Sequence, residues 1–215
     1  MSAPAPASIS IGALDLAALL CSRVCHDLIS PVGAIINGIE VLDEDKDAET
    51  RTFALDLIKK SAHAASAKLQ FCRLAFGAAG SAGAQIDLGD AEKAARGLFE
   101  DGKTAIAWNL PRELLPKNRV KLLLNMLMIA AGAVPRGGML TVDPVPEAAG
   151  GGFTVRASGL NARLSTATSD LLAGGAIAYV DAHAIQPLYT GILARDGGLA
   201  LSAASEDDAV VLTAR

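Results

Sequence analysis

Apolar residues recur at spacings of three and four from Leu14 through Ala17, Cys21, Val24 and Leu28. After one extra step near Pro31 the rhythm resumes at Val32, Ile35, Ile39 and Leu42. That period predicts one long helix over 11–42 with a bundle-type seam. The run DEDKD at 43–47 is too polar to bury and reads as a solvated turn between antiparallel helices. A second helical pattern covers 48–76, with Phe53, Leu57, Ala64, Leu69, Cys72 and Phe76 against Lys59, Lys60 and Lys68. GAAGSAG at 77–83 is rich in helix breakers and ends it.

Beyond the breakers the period alternates. Strands are expected at QIDL, TAIAWNL, GMLTVDP and FTVRAS, and helices over 90–100 and 116–133. A short segment at 169–172, a helix over 181–195 and two closing strands, GLALSAA and DAVVLTA, complete the pattern. The fold class is α+β: an N-terminal helical hairpin at 11–78, a linker at 79–84, and an α/β sandwich at 85–215 with a mixed sheet and helices on one face. Residues 1–10, rich in Ala, Pro and Ser, read as a disordered tail. Two long helices alone leave wide apolar stripes uncovered, so a homodimer forming a four-helix bundle is the economical solution.

Composition narrows the function. With 215 residues, 51% of them hydrophobic, the chain can build two cores, and 21 Gly with only 4% aromatic residues imply close packing of small side chains. The net charge of −4 comes with no basic stripe, which argues against a nucleic-acid partner. MSAPAPASIS is not a secretion signal, and no uninterrupted apolar run reaches the roughly 18 to 20 residues of a membrane span, so a soluble cytoplasmic protein with no membrane partner is expected. Cys21, Cys25 and Cys72 fit reduced thiols, and no metal site is expected. Cys21 lies on the seam while His26 faces away from it, so these side chains do not converge on an ion.

His26 is the chemically conspicuous residue. At about 100° per residue it lies roughly 160° from the mean seam direction, facing outward among Ser22, Ser30, Gly33 and Asn37 with Arg23 at the side. A small polar rim lets another macromolecule approach an imidazole closely. Pro31 removes a backbone donor below it and bends the helix.

HDLISPVGAII, with an acidic residue directly after the His and a Pro five residues beyond it, resembles the phospho-acceptor helix of two-component histidine kinases. RVKLLLNMLMIAAGAVPRGGMLTV and FTVRASGLNA resemble the kinase ATP-binding helix and the strand that recognises adenine. Ile129 stands where kinases hold the Asn that ligates magnesium, and Asn125 sits one turn earlier. Gly132 occupies the place of a Lys or Arg, the adenine motif reads Ala157, Gly159 and Asn161, and no glycine-rich lid is visible between Gly175 and Asp196. Ile cannot coordinate magnesium and Ala cannot accept a hydrogen bond from adenine, so the chain is expected to bind no ATP and no cofactor of its own. The combination is similar to the ChpT-type histidine phosphotransferases of bacterial phosphorelays.

The resemblance implies that His26 accepts a phosphoryl group from a receiver-domain aspartyl phosphate and passes it to the Asp of another response regulator. Partners would be receivers of a hybrid histidine kinase and of response regulators, each bringing its own Mg²⁺. Asp27 could orient the ring or be a surface carboxylate; Arg23 could balance the phosphate or form an ordinary ion pair; Ser30 could assist or simply leave room for docking. Partner choice is expected at Gly33, Ile36, Asn37 and Glu40, with the facing part of the second helix over 53–60. Two alternatives remain: an ATP-dependent kinase with a divergent site, and a non-catalytic regulator that binds receivers.

Overall fold

The computed structural model describes residues 11–77, 83–172 and 184–215. The tail at 1–10, most of the linker and the start of the helix expected over 181–195 lie outside these, as does the stretch from Gly175 to residue 183. Helix α1, Ala13–Glu44, and helix α2, Ala48–Ala75, form an antiparallel hairpin. The polar run between them supplies the start of α2, since Asp47 accepts the Thr50 amide hydrogen at 2.9 Å. Arg51 donates from the first turn of α2 to the Leu42 carbonyl near the end of α1, tying the turn shut.

The two helices meet through small residues. Pro31 and Gly38 are the buried positions of α1, and a Cβ at Gly38 would lie 2.7 Å from Ile58 Cγ1 and 3.2 Å from the Ala54 carbonyl oxygen. Val24, Leu28, Ile35 and Leu42 are half-buried on the side of α2, whereas Leu14, Ala17, Cys21, Val32 and Ile39 remain exposed. A hydrophobic period cannot register the glycine around which the helices cross. Helix α1 is by length and composition apolar enough to cross a membrane, although charged residues such as Arg23 and Asp27 interrupt its apolar runs, as expected.

The remainder is built on a five-stranded sheet. Strand β1, Gln85–Asp87, leads into helix α3, Leu88–Phe99, and strand β2, Thr104–Trp108. Strand β3, Leu114–Pro116, precedes helix α4, Lys117–Ala133, strand β4, Gly138–Pro144, and strand β5, Phe153–Ser158. Helices α5, Thr166–Leu172, and α6, Ile185–Asp196, come before strands β6, Leu201–Glu206, and β7, Ala209–Ala214. The order is β2-β4-β5-β7-β6, with β2 parallel to β4 and the other neighbours antiparallel. QIDL does not join this mixed sheet as expected; β1 pairs instead with β3 in a two-stranded ribbon. Strand β3 escapes the sequence pattern because it is short and ends in a proline, which has no donor for a ladder.

Alternation places Leu140, Val142, Val155, Ala157, Val210 and Leu212 under the helices, and α4 runs across them with Leu123, Met126 and Leu127 fully buried. The C-terminal end of α2 enters the same core. Phe71, Leu74 and Ala75 belong to it, and Phe71 meets Phe99 edge to face at 5.3 Å. The hairpin and the sheet therefore share one hydrophobic interior.

Candidate functional site

His26 stands midway along α1 with 67% of its side chain exposed, on the outward face expected from the sequence. Its Nδ1 lies 3.6 Å from Asp27 Oδ1, too long for a hydrogen bond between the two groups. Arg23 Nε donates to the other oxygen, Asp27 Oδ2, at 2.9 Å, one helical turn back. The structure thus shows Arg23 paired with Asp27 rather than extended over the imidazole.

Asp27 is fixed a second time through its backbone. In a regular helix its carbonyl would accept the amide hydrogen of residue 31, but Pro31 has none. Lys68 Nζ, reaching across from α2, donates to that carbonyl at 2.8 Å. The proline's missing donor and the lysine's ammonium are complementary parts of one joint, set directly below His26. Lys68 could be read along the chain only as a polar position of α2, because its partner is 41 residues away.

The other expected site residues fall on or beside this face. Ser30, Asn37 and Glu40 are exposed, Gly33 is half-buried, and space is open around Gly33, where an added Cβ would meet nothing within 4 Å. Ile36, 51% exposed, and Ile29, 70% exposed, border it; Ile29 was not singled out by the sequence. On α2, Phe53 and Leu55 are exposed while Ala54 and Ile58 face α1. Beneath Asp27 a cleft of about 290 Å³ runs between the hairpin and helices α3 and α4, bordered by Lys68, Cys72, Phe99 and Met128. Burial, aided by the Asp27 charge, pushes the Cys72 thiol up to about 11.

The places matching a kinase nucleotide site hold no acidic group. Ile129 and Ala157 are buried, and Gly132 opens onto clefts without a side chain. Asn125 is fully buried and structural: its amide nitrogen donates to Ala75 O at 3.0 Å and Lys121 O at 2.7 Å, and its oxygen accepts from Gln186 Nε2 at 2.5 Å. It joins α2, α4 and α6 from inside.

Comparison with known proteins agrees with this reading of the fold. Residues 88–209 match the histidine phosphotransferase C-terminal domain family. The protein phosphotransferase ChpT of Brucella abortus (strain 2308) is 48% identical over 207 residues, covering 96% of this chain and 98% of that protein. A bacterial phosphotransferase solved at 1.7 Å superposes with a TM-score of 0.88 and 45% identity over 97% of this chain and 99% of the other. The family match over more than half of the chain and these likenesses across nearly all of it establish that the protein belongs to the histidine phosphotransferase family.

Proposed function

We propose that His26 is the phospho-acceptor of a relay between receiver domains, working without ATP. The observation that carries this reading is the imidazole's placement: exposed on the outer face, with Nδ1 turned toward an Asp27 that Arg23 and Lys68 hold in place. With the proton on Nδ1, the Nε2 lone pair attacks the phosphorus of an aspartyl phosphate in line. The N–P bond forms as the P–O bond to the aspartyl carboxylate breaks, and that carboxylate leaves with the electron pair. The resulting phosphoimidazole carries positive charge, which the neighbouring Asp27 carboxylate offsets. Transfer to a second receiver reverses the step.

Such a transition state requires alignment and charge balance more than covalent assistance, and this chain supplies the alignment. The receiver brings Mg²⁺; no cofactor is needed here. Gly33, Asn37 and Glu40 form the docking face, with Ile36 as an apolar contact and Ser30 leaving room beside the imidazole. The chain acts as a cytoplasmic homodimer. Leu14, Cys21, Val32 and Ile39 fall within about 20° of one direction on α1, a stripe that a second hairpin would cover.

The test uses a pre-phosphorylated receiver with native protein and with His26→Ala. Label should appear on the native chain alone, and radiolabelled ATP should label neither. Equal behaviour of the two proteins removes His26 from the mechanism, and labelling by ATP converts the reading to a kinase.

A further inference from the structure

Helix α1 carries a single Lys or Arg, Arg23, against Asp15, Asp27, Glu40, Asp43 and Glu44, and it stands three residues before His26. Its ion pair with Asp27 explains little by itself, because on a helix a base four residues ahead of an acid is the weaker of the two orders. The pair also engages only Nε, which donates to Asp27 Oδ2 at 2.9 Å. The terminal fork, Nη1 and Nη2, has no acceptor among the described residues, although the side chain is only 23% exposed. A planar fork fixed at its root and left open at its tip matches the oxygens of a carboxylate or phosphoryl group.

The position of the fork beside His26 decides between these. Residues three apart are neighbours on a helix, so Arg23 and His26 share one face. Arg23 also borders the open cleft beneath Asp27, which gives the guanidinium room to turn. Phosphorylating His26 sets phosphoryl oxygens on an imidazole whose Nδ1 lies 3.6 Å from Asp27 Oδ1. The carboxylate offsets the charge of the ring but repels the phosphoryl oxygens. Lys68, the cation that α2 brings to this level, is already held by the Asp27 carbonyl. Arg23 is the cation left to balance them.

We infer that Arg23 is a further catalytic residue, whose Nη1 and Nη2 take up oxygens of the phosphoryl group on His26 while Nε keeps Asp27. This rests on the proposed role of His26 as phospho-acceptor. No covalent bond is made or broken beyond those of the transfer itself. The guanidinium stays protonated, and its N–H groups donate to the phosphoryl oxygens as these leave the receiver. The contact stabilises the phosphohistidine relative to the aspartyl phosphate, so Arg23 sets how far the transfer runs toward this chain.

The experiment phosphorylates His26 in two ways: from a pre-phosphorylated receiver and, with no receiver present, from phosphoramidate, where the imidazole displaces ammonia from phosphorus. With the receiver, Arg23→Met should lower the equilibrium ratio of phosphohistidine to aspartyl phosphate about tenfold, as the loss of a charge-assisted hydrogen bond gives, and Arg23→Lys should recover part of it. The same loss should appear in an Asp27→Asn background, which keeps an acceptor for Nε and removes the carboxylate charge. With phosphoramidate, phosphorus NMR should show the phosphoryl group of Arg23→Met taking up its proton at higher pH than that of the native chain, because a neighbouring cation favours the dianion. An unchanged ratio, a loss that vanishes in the Asp27→Asn background, or identical phosphorus titrations overturns the contact and leaves Arg23 as the partner of Asp27 alone. Labelling of the native chain by phosphoramidate but not by the receiver sinks the relay instead, and the phosphorus titration still decides the role of Arg23.

Discussion

The joint between Pro31 and Lys68 yields a quantitative expectation. Replacing Lys68 by Met keeps its stem and removes the ammonium, leaving the Asp27 carbonyl without either of its partners. A hydrogen bond to a charged donor contributes about 1.5–3 kcal/mol, and the half-buried setting of this one points to the lower part of that range, about 1.5–2 kcal/mol. In a Pro31→Ala background residue 31 regains an amide hydrogen and the helix can satisfy the carbonyl itself, so the same Lys68→Met change should cost less than about 0.5 kcal/mol. The coupling energy between the sites is then about 1 kcal/mol. Urea denaturation of the four proteins of this cycle, followed by circular dichroism at one fixed protein concentration, measures it. Additive effects of the two substitutions would refute the reasoning, because they would mean that lysine and proline serve the helix independently.

Gly38→Ala should destabilise by about 0.5–2 kcal/mol, since crowding of Ile58 and the Ala54 carbonyl outweighs the helix-propensity gain, whereas Gly33→Ala should stabilise by about 0.5–1 kcal/mol yet slow transfer from a receiver; melts and transfer rates check both. Asn125→Ala should cost about 2–4 kcal/mol in urea melts by leaving buried partners on three helices unpaired. With its pKa at about 11, Cys72 is roughly one part in a thousand thiolate at pH 8, so iodoacetamide followed by peptide mapping should show it alkylated at least about 100-fold more slowly in the folded protein than in urea. Burial, with a smaller contribution from the Lys117 charge, holds the Lys121 ammonium below its ordinary 10.5. The unfolded chain therefore binds more protons there, and stability should rise as pH climbs from the folded value toward 10.5. Lys121→Met should raise the melting midpoint at pH 7, and the gain should shrink at alkaline pH.

Much of this was legible before any coordinates. The ends of β4 and β5 fall where GMLTVDP and FTVRAS place them, because alternation over a half-covered sheet is a strong local signal. The outward direction of His26 follows from the helical period alone. What escaped depends on pairs far apart in the chain. The face of α1 that meets α2 is marked by Pro31 and Gly38, which a hydrophobic count passes over. Lys68 gains meaning only from a carbonyl on the other helix, and Gln186 only from Asn125, 61 residues earlier. The lone strand missed, Leu114–Pro116, is held by its ribbon partner rather than by its own propensity.

Phe71, Leu74 and Ala75 continue α2 into the interior beneath the sheet, and fully burying a Phe or Leu is worth about 1.5–3 kcal/mol each. Swinging the sheet module away from the hairpin would expose these side chains together, so the helix works as a spine instead of a hinge. Whatever docks at His26 therefore meets a helical face whose position against the sheet module is set by this shared core, so a partner that touches both is read by a rigid template.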